Sequence, residues 1–131
     1  MNALSASDAA ARADLDFWRD LSEGTDESGR ELLELYLTDT GAQISLMISG
    51  LAQGRTEDVA CAAHTCAGSS GTCGVDGLAR LFRQIEYEAR DARHDAVANT
   101  LPLIVETFDG VRVRLLKAIA VPATEPIQER Q

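Results

Sequence analysis

The stretch AAHTCAGSSGTCG, residues 62–74, sets one imidazole among alanine, glycine, serine and cysteine. Imidazole titrates close to neutrality, so an exposed one keeps a free ring nitrogen at pH 7 and can serve as nucleophile, proton carrier or metal ligand. Cys61, Cys66 and Cys73 bracket His64, and two or three thiolates with a histidine are the donor set of a structural zinc site. Nothing in this stretch supplies a general base, an oxyanion hole or a carboxylate pair. The residues do not make a self-sufficient enzyme, and a partner has to complete any chemistry that begins at His64.

Helical geometry separates these possibilities. At about 100° per residue, Val59, Ala62, Ala63, Cys66, Ser70 and Cys73 share one broad face of a helix beginning near Thr56, whose hydroxyl can cap it, and ending at Gly74. That face is small but packable, and is expected to be buried. His64 lies about 160° from Cys66 and points to solvent, so the histidine and the cysteines cannot converge on one ion, and no metal site is expected. Around His64 the spacing places Ala60, Ala67, Gly68 and Gly71, all too short to cover an imidazole. Glycine inside a helix costs about 0.5–1 kcal/mol relative to alanine, so something besides helix stability explains Gly68 and Gly71. We read the four small residues as a clearing that admits a docking molecule.

The elements that must hold this helix follow from the rest of the chain. Its 131 residues suffice for one domain with its own core. Alanine, leucine, glutamate and arginine dominate, and β-branched or aromatic runs are lacking, which predicts helix throughout. A short helix from about Ser7 to Leu21, with Leu15, Trp18 and Leu21 on one side, precedes the main body. A long helix from about Glu27 to Gln53 carries Leu33, Tyr36, Leu37, Ile44, Met47, Ile48 and Leu51 on one stripe, and Gly54 closes it. After the His64 helix, a segment starting near Asp76 turns Leu78, Leu81, Phe82, Ile85 and Ala89 inward. The last helix runs to about Val121 with Leu101, Val105, Phe108, Leu115 and Ile119 inward, and Pro102 either starts it or kinks it. The expectation is an all-α, antiparallel four-helix bundle over 27–121, with a short additional N-terminal helix within 1–26 and a flexible tail at 122–131.

Charge and cysteine usage narrow the partners. Twenty-one acidic residues against 12 basic ones give a net charge of -9, which repels phosphate backbones and anionic lipid, so neither nucleic acid nor a membrane surface is an expected partner. Eleven of the basic residues are arginine and one, Lys117, is lysine. The N-terminal residues show no signal-peptide pattern, no segment has the length to span a bilayer, and three cysteines are an odd number. A cytoplasmic, reduced protein is expected.

The residues AHTCAGSSGTCGVDGLARLFRQIE, 63–86, resemble the signature of histidine-containing phosphotransfer (HPt) domains, A-H-x-L-K-G-S-S-x-x-x-G-A followed by leucines and a Leu-Glu pair. Ala63, His64, Gly68, Ser69, Ser70 and Gly74 fall in register, Leu78 and Leu81 follow, and Ile85 with Glu86 takes the place of Leu-Glu. The likeness extends over roughly Glu27 to Ile119. It implies a four-helix bundle in which His64 takes a phosphoryl group from an aspartyl-phosphate of a response-regulator receiver domain and passes it to, or returns it from, another receiver, with a hybrid sensor kinase upstream. It implies no cofactor in this chain, the Mg²⁺ belonging to the receiver. The chain departs from the pattern at Cys66, where leucine is usual, and at Ala67, where the family has a lysine thought to steady the phosphoryl group. Arg80 and Arg83 are the nearest candidates to replace that lysine. The alternative reading is a degenerate HPt-like module that binds receivers or kinases without being phosphorylated.

Overall fold

Three short breaks cut the described part of the chain into helices. A computed structural model describes the backbone of residues 27–129 and the side chains of residues 29–117. It contains α1 (Glu27–Ala52), α2 (Thr56–Thr72), α3 (Asp76–Arg90) and α4 (His94–Glu129), and no strand among the described residues. The short helix expected between Ser7 and Leu21 lies outside them. Connections this brief force consecutive helices to run antiparallel side by side. α2 packs most extensively against α3, and α4 closes the ring by packing on both α3 and α1.

All three breaks are built alike. After α1, Arg55 N–H donates to the Gly50 carbonyl at 2.7 Å and Gly54 N–H to that of Leu51, with Gly54 at φ +73°. Val75 with Ser70, and Gly74 with Gly71, repeat the pattern after α2, with Gly74 at φ +79°. This paired closure needs a left-handed residue, which glycine adopts without steric cost. The third closure, Arg93 to Glu88 and Ala92 to Ala89, places Ala92 in the same conformation at φ +54°. No glycine marks that turn in the sequence.

The core joins all four helices. In α1, Leu33, Tyr36, Leu37, Ile44 and Met47 are buried as expected, and Leu51 packs at the edge. Ile48, however, is 48 % exposed, and Thr40, outside the expected stripe, is buried. In α4, Leu101, Phe108 and Leu115 face inward, but Val105 is 39 % exposed while Val97, Ile104 and Val111 are buried. Both corrections follow one spacing. Among the buried positions, 33, 37, 40, 44 and 47 in α1, with 36 and 50 beside them, and 97, 101, 104, 108, 111 and 115 in α4, with 100 and 107 beside them, alternate four and three residues, the spacing of a seam between packed helices. Pro102 lies inside α4 and does not begin it; it sits on the exposed side, and so does Ala98, whose carbonyl loses the proline's hydrogen bond to solvent. The backbone of α4 stays helical past Val121 to Glu129, through the segment expected to be a tail.

Polar pins cross the interior. The Tyr36 hydroxyl and Ser70 Oγ are 2.7 Å apart, joining α1 to α2. Burial pushes the Tyr36 phenol above its ordinary range. Between α3 and α4, the buried Glu88 carboxylate accepts from the Thr100 hydroxyl at 2.8 Å and from Gln84 Nε2 at 3.1 Å.

Candidate functional site

α2 is an alanine-rich helix, and Glu57 and Asp58 in its first turn complement the positive end of its dipole. Its cap residue is Arg55, with no side-chain cap; the Thr56 hydroxyl expected to cap it does not. Val59, Ala62, Ala63, Cys66 and Ser70 are buried and Cys73 half-buried. Burial pushes the Cys66 thiol up to about 12 and raises that of Cys73. These are inert core thiols. Among the described residues no cluster of histidine, cysteine and carboxylate side chains is disposed to hold a metal.

The side chain of His64 is 72 % exposed. It points to solvent as expected, yet it has a partner: Nδ1 stands 3.1 Å from Glu86 Oε2, across the seam between α2 and α3. The Glu86 side chain is only 18 % exposed. The same oxygen accepts from Arg90 Nε at 3.1 Å and Nη2 at 3.0 Å, and Arg90 Nη1 reaches Glu57 Oε2 at 3.6 Å. His64, Glu86, Arg90 and Glu57 therefore form one chain of charge-assisted contacts spanning both helices.

This arrangement assigns the ring nitrogens. A carboxylate only accepts, so the proton of a neutral imidazole resides on Nδ1 and the lone pair on Nε2. Nε2 has no hydrogen-bond partner among the described residues and faces solvent. Glu86, with the Arg90 guanidinium on the oxygen it offers, orients the ring. Its place is that of the acid in a nucleophile–orienter pair, where the carboxylate steadies the ring.

The clearing around His64 is half of what the spacing predicts. Gly68 and Gly71 are exposed, and a Cβ at Gly68 would meet nothing within 4 Å. Ala60 and Ala67, by contrast, are 0 % and 4 % exposed and belong to the core. They cannot meet a partner. Both lie about 40–60° to one side of His64 on the helix, the side along which α3 packs, and their small size lets the two helices approach. The position of the family's lysine is thus covered here by a neighbouring helix. Beyond it, Gly68, Gly71, Ala79, Arg80 and Arg83 line an open groove between α2 and α3.

Glu86 and Arg90 are the residues of this site that spacing along α2 could not supply. The family signature marks Glu86, in its Leu-Glu place, without its contact to His64, and the signal for Arg90 is its separation from Glu86, four residues along α3 with the acid first, the orientation that favours a helix pair.

No curated protein and no solved structure matches the chain significantly. The sequence profile of the Hpt domain matches residues 31–118, well over half of the chain. That span takes in the greater part of the described bundle, His64, its carboxylate partner and the open glycines. The chain belongs to the Hpt domain family.

Proposed function

We propose that this chain, whose family acts in phosphotransfer within two-component signalling and interacts with receiver domains, is a phosphorelay intermediate and that His64 is its phosphoryl acceptor. The observation that carries the reading is the 3.1 Å contact of His64 Nδ1 with Glu86, on a ring whose other nitrogen is open to solvent one turn from Gly68.

The step balances without a base in this chain. The Nε2 lone pair attacks the phosphorus of a receiver's aspartyl-phosphate, a P–N bond forms, and the P–O bond to the aspartate breaks to release its carboxylate. Nε2 carries no proton to lose. The ring becomes cationic, and the Nδ1–H bond to the Glu86 carboxylate offsets that charge. In the reverse direction an aspartate of another receiver attacks the phosphorus and the ring returns to its starting form. The receiver brings the divalent cation that neutralises the phosphoryl oxygens, with a hybrid sensor kinase as the first donor. No described helix is long and apolar enough to cross a membrane, which suits a chain that meets its partners in the cytoplasm.

The test is incubation with receiver domains phosphorylated by acetyl phosphate, followed by a search for acid-labile, alkali-stable phosphate. His64→Gln is expected to abolish labelling with the melting curve unchanged, leaving the exposed His94 as an internal control. Labelling that persists in His64→Gln overturns the assignment. The absence of lysine near the phosphoryl position favours one other reading, a module that binds receivers without accepting phosphate. Receiver binding with no label on the wild-type chain selects it.

A further inference from the structure

Resting on the reading above that a receiver docks at His64, we infer that the groove beside it seats the receiver's acidic face, with Arg80 and Arg83 as the anchors. A partner that carries an aspartyl-phosphate and holds a divalent cation needs several carboxylates around that point. Its approach to a chain of net charge -9 is opposed unless positive charge is concentrated where the two meet.

The arginines are disposed for this. Arg55, Arg90 and Arg112 are each engaged by an acidic residue of their own chain. The side chains of Arg80 and Arg83 are exposed and make no hydrogen bond or ion pair among the described residues. They line the groove together with Gly68 and Gly71, and Asp76 is the one acidic residue that shares it. Arg83 Nη2 lies 3.6 Å from where a Cβ on residue 71 would stand, so the guanidinium rests beside the α2 backbone at a glycine.

Their place along the seam separates docking from chemistry. α2 and α3 are antiparallel, and Glu86 faces His64. Gly71 is seven residues beyond His64, about 10 Å along the axis. A guanidinium lying there meets the rim of an incoming protein and not the transferred phosphoryl group.

The experiment measures the dissociation constant of an unphosphorylated, Mg²⁺-loaded receiver domain that binds the wild-type chain, whether or not it labels it, at about 50 and 300 mM salt. It compares the wild-type chain, the Arg80→Ala/Arg83→Ala pair and an Arg80→Lys/Arg83→Lys pair. The alanine pair is expected to weaken binding about threefold to tenfold at low salt, as two exposed charge contacts do. The gap closes at high salt, and the lysine pair retains most of the affinity. The single-turnover transfer rate at saturating receiver moves by less than twofold. An unchanged dissociation constant overturns the inference. So does a fall in the saturating rate at unchanged affinity, which places the arginines on the phosphoryl group. The binding measurement needs no transfer, so the docking inference is judged apart from the phosphoacceptor role of His64, which fails instead if the wild-type chain takes no label.

Discussion

Replacing Glu86 with alanine separates an orienting carboxylate from a proton-abstracting one. The contact at stake is a 3.1 Å hydrogen bond between a mostly exposed imidazole and a mostly buried carboxylate. A hydrogen bond to a charged group contributes about 1.5–3 kcal/mol when buried, but exposed ion pairs retain only about 0.2–1 kcal/mol. With His64 72 % exposed, and with Arg90 drawing on the same oxygen, the upper end of the exposed range applies. About 1 kcal/mol is about a fivefold change in an equilibrium, here the fraction of rings with the proton on Nδ1 and the lone pair on Nε2. We therefore expect Glu86→Ala to slow labelling of His64 about fivefold, with Glu86→Gln falling between it and wild type because an amide oxygen still accepts from Nδ1. The assay is the initial rate of phosphorylation by phosphoramidate, paired with ¹⁵N NMR of the imidazole to read the tautomer. A loss of a hundredfold or more, the scale of general-base catalysis, refutes the orienting role. An unchanged rate and tautomer ratio refute the contact itself.

Gly68→Leu is expected to block transfer from a receiver while leaving thermal stability equal or slightly raised, since a Cβ there meets nothing within 4 Å and leucine is the better helix former; unfolding of the variant, or normal transfer, contradicts the open geometry. Ala92 stands at φ +54°, where a residue with a Cβ pays about 1–2 kcal/mol and glycine loses about 0.5–1 kcal/mol in chain entropy. Ala92→Gly should thus raise stability in urea by about 0.5–1 kcal/mol, and a decrease counts against strain at that turn. Burial moves the Cys66 thiol from 9.0 to about 12, so the fold prefers its neutral form. That contribution is complete below pH 9 and is lost as pH rises through the folded value. Denaturation midpoints should therefore fall above pH 9, less steeply in Cys66→Ala, and iodoacetamide at pH 8 should modify the exposed Cys61 well before Cys66; equal rates exclude the buried placement.

Large apolar residues announced the bundle, because only a stripe of them can pay the entropy of folding and each helix carries one. What they left open is phase to within one residue. Ile48 and Val105 fit a 3.6-residue period as well as Thr40 and Ile104 do, and only the packing of neighbouring helices selects the second set. Alanine is the harder case. Ala60 and Ala67 are small enough for an open surface or for a tight seam, and which of these they serve is decided by where α3 lies. His64 was legible because its opposition to Cys66 holds on any helix. The contact of Glu86 was not, although the signature includes that residue: its meeting with His64 depends on the register of two antiparallel helices, set by the turn at residues 73–75 and by packing along the whole seam. The turn at Ala92 was hidden for a simpler reason, that it lacks the glycine that marks the other two.

Glu88, on the far side of α3, bears on His64 without approaching it. Two residues from Glu86, it projects about 200° away around the helix, and its carboxylate is tied to Thr100 of α4 while Glu86 reaches His64 of α2. A helix held at opposite edges cannot roll about its axis without giving up one grip. The aim of the imidazole is thus inherited from a threonine two helices away, and α4, which does not touch His64, acts as the fence against which the facing edge of α3 is squared.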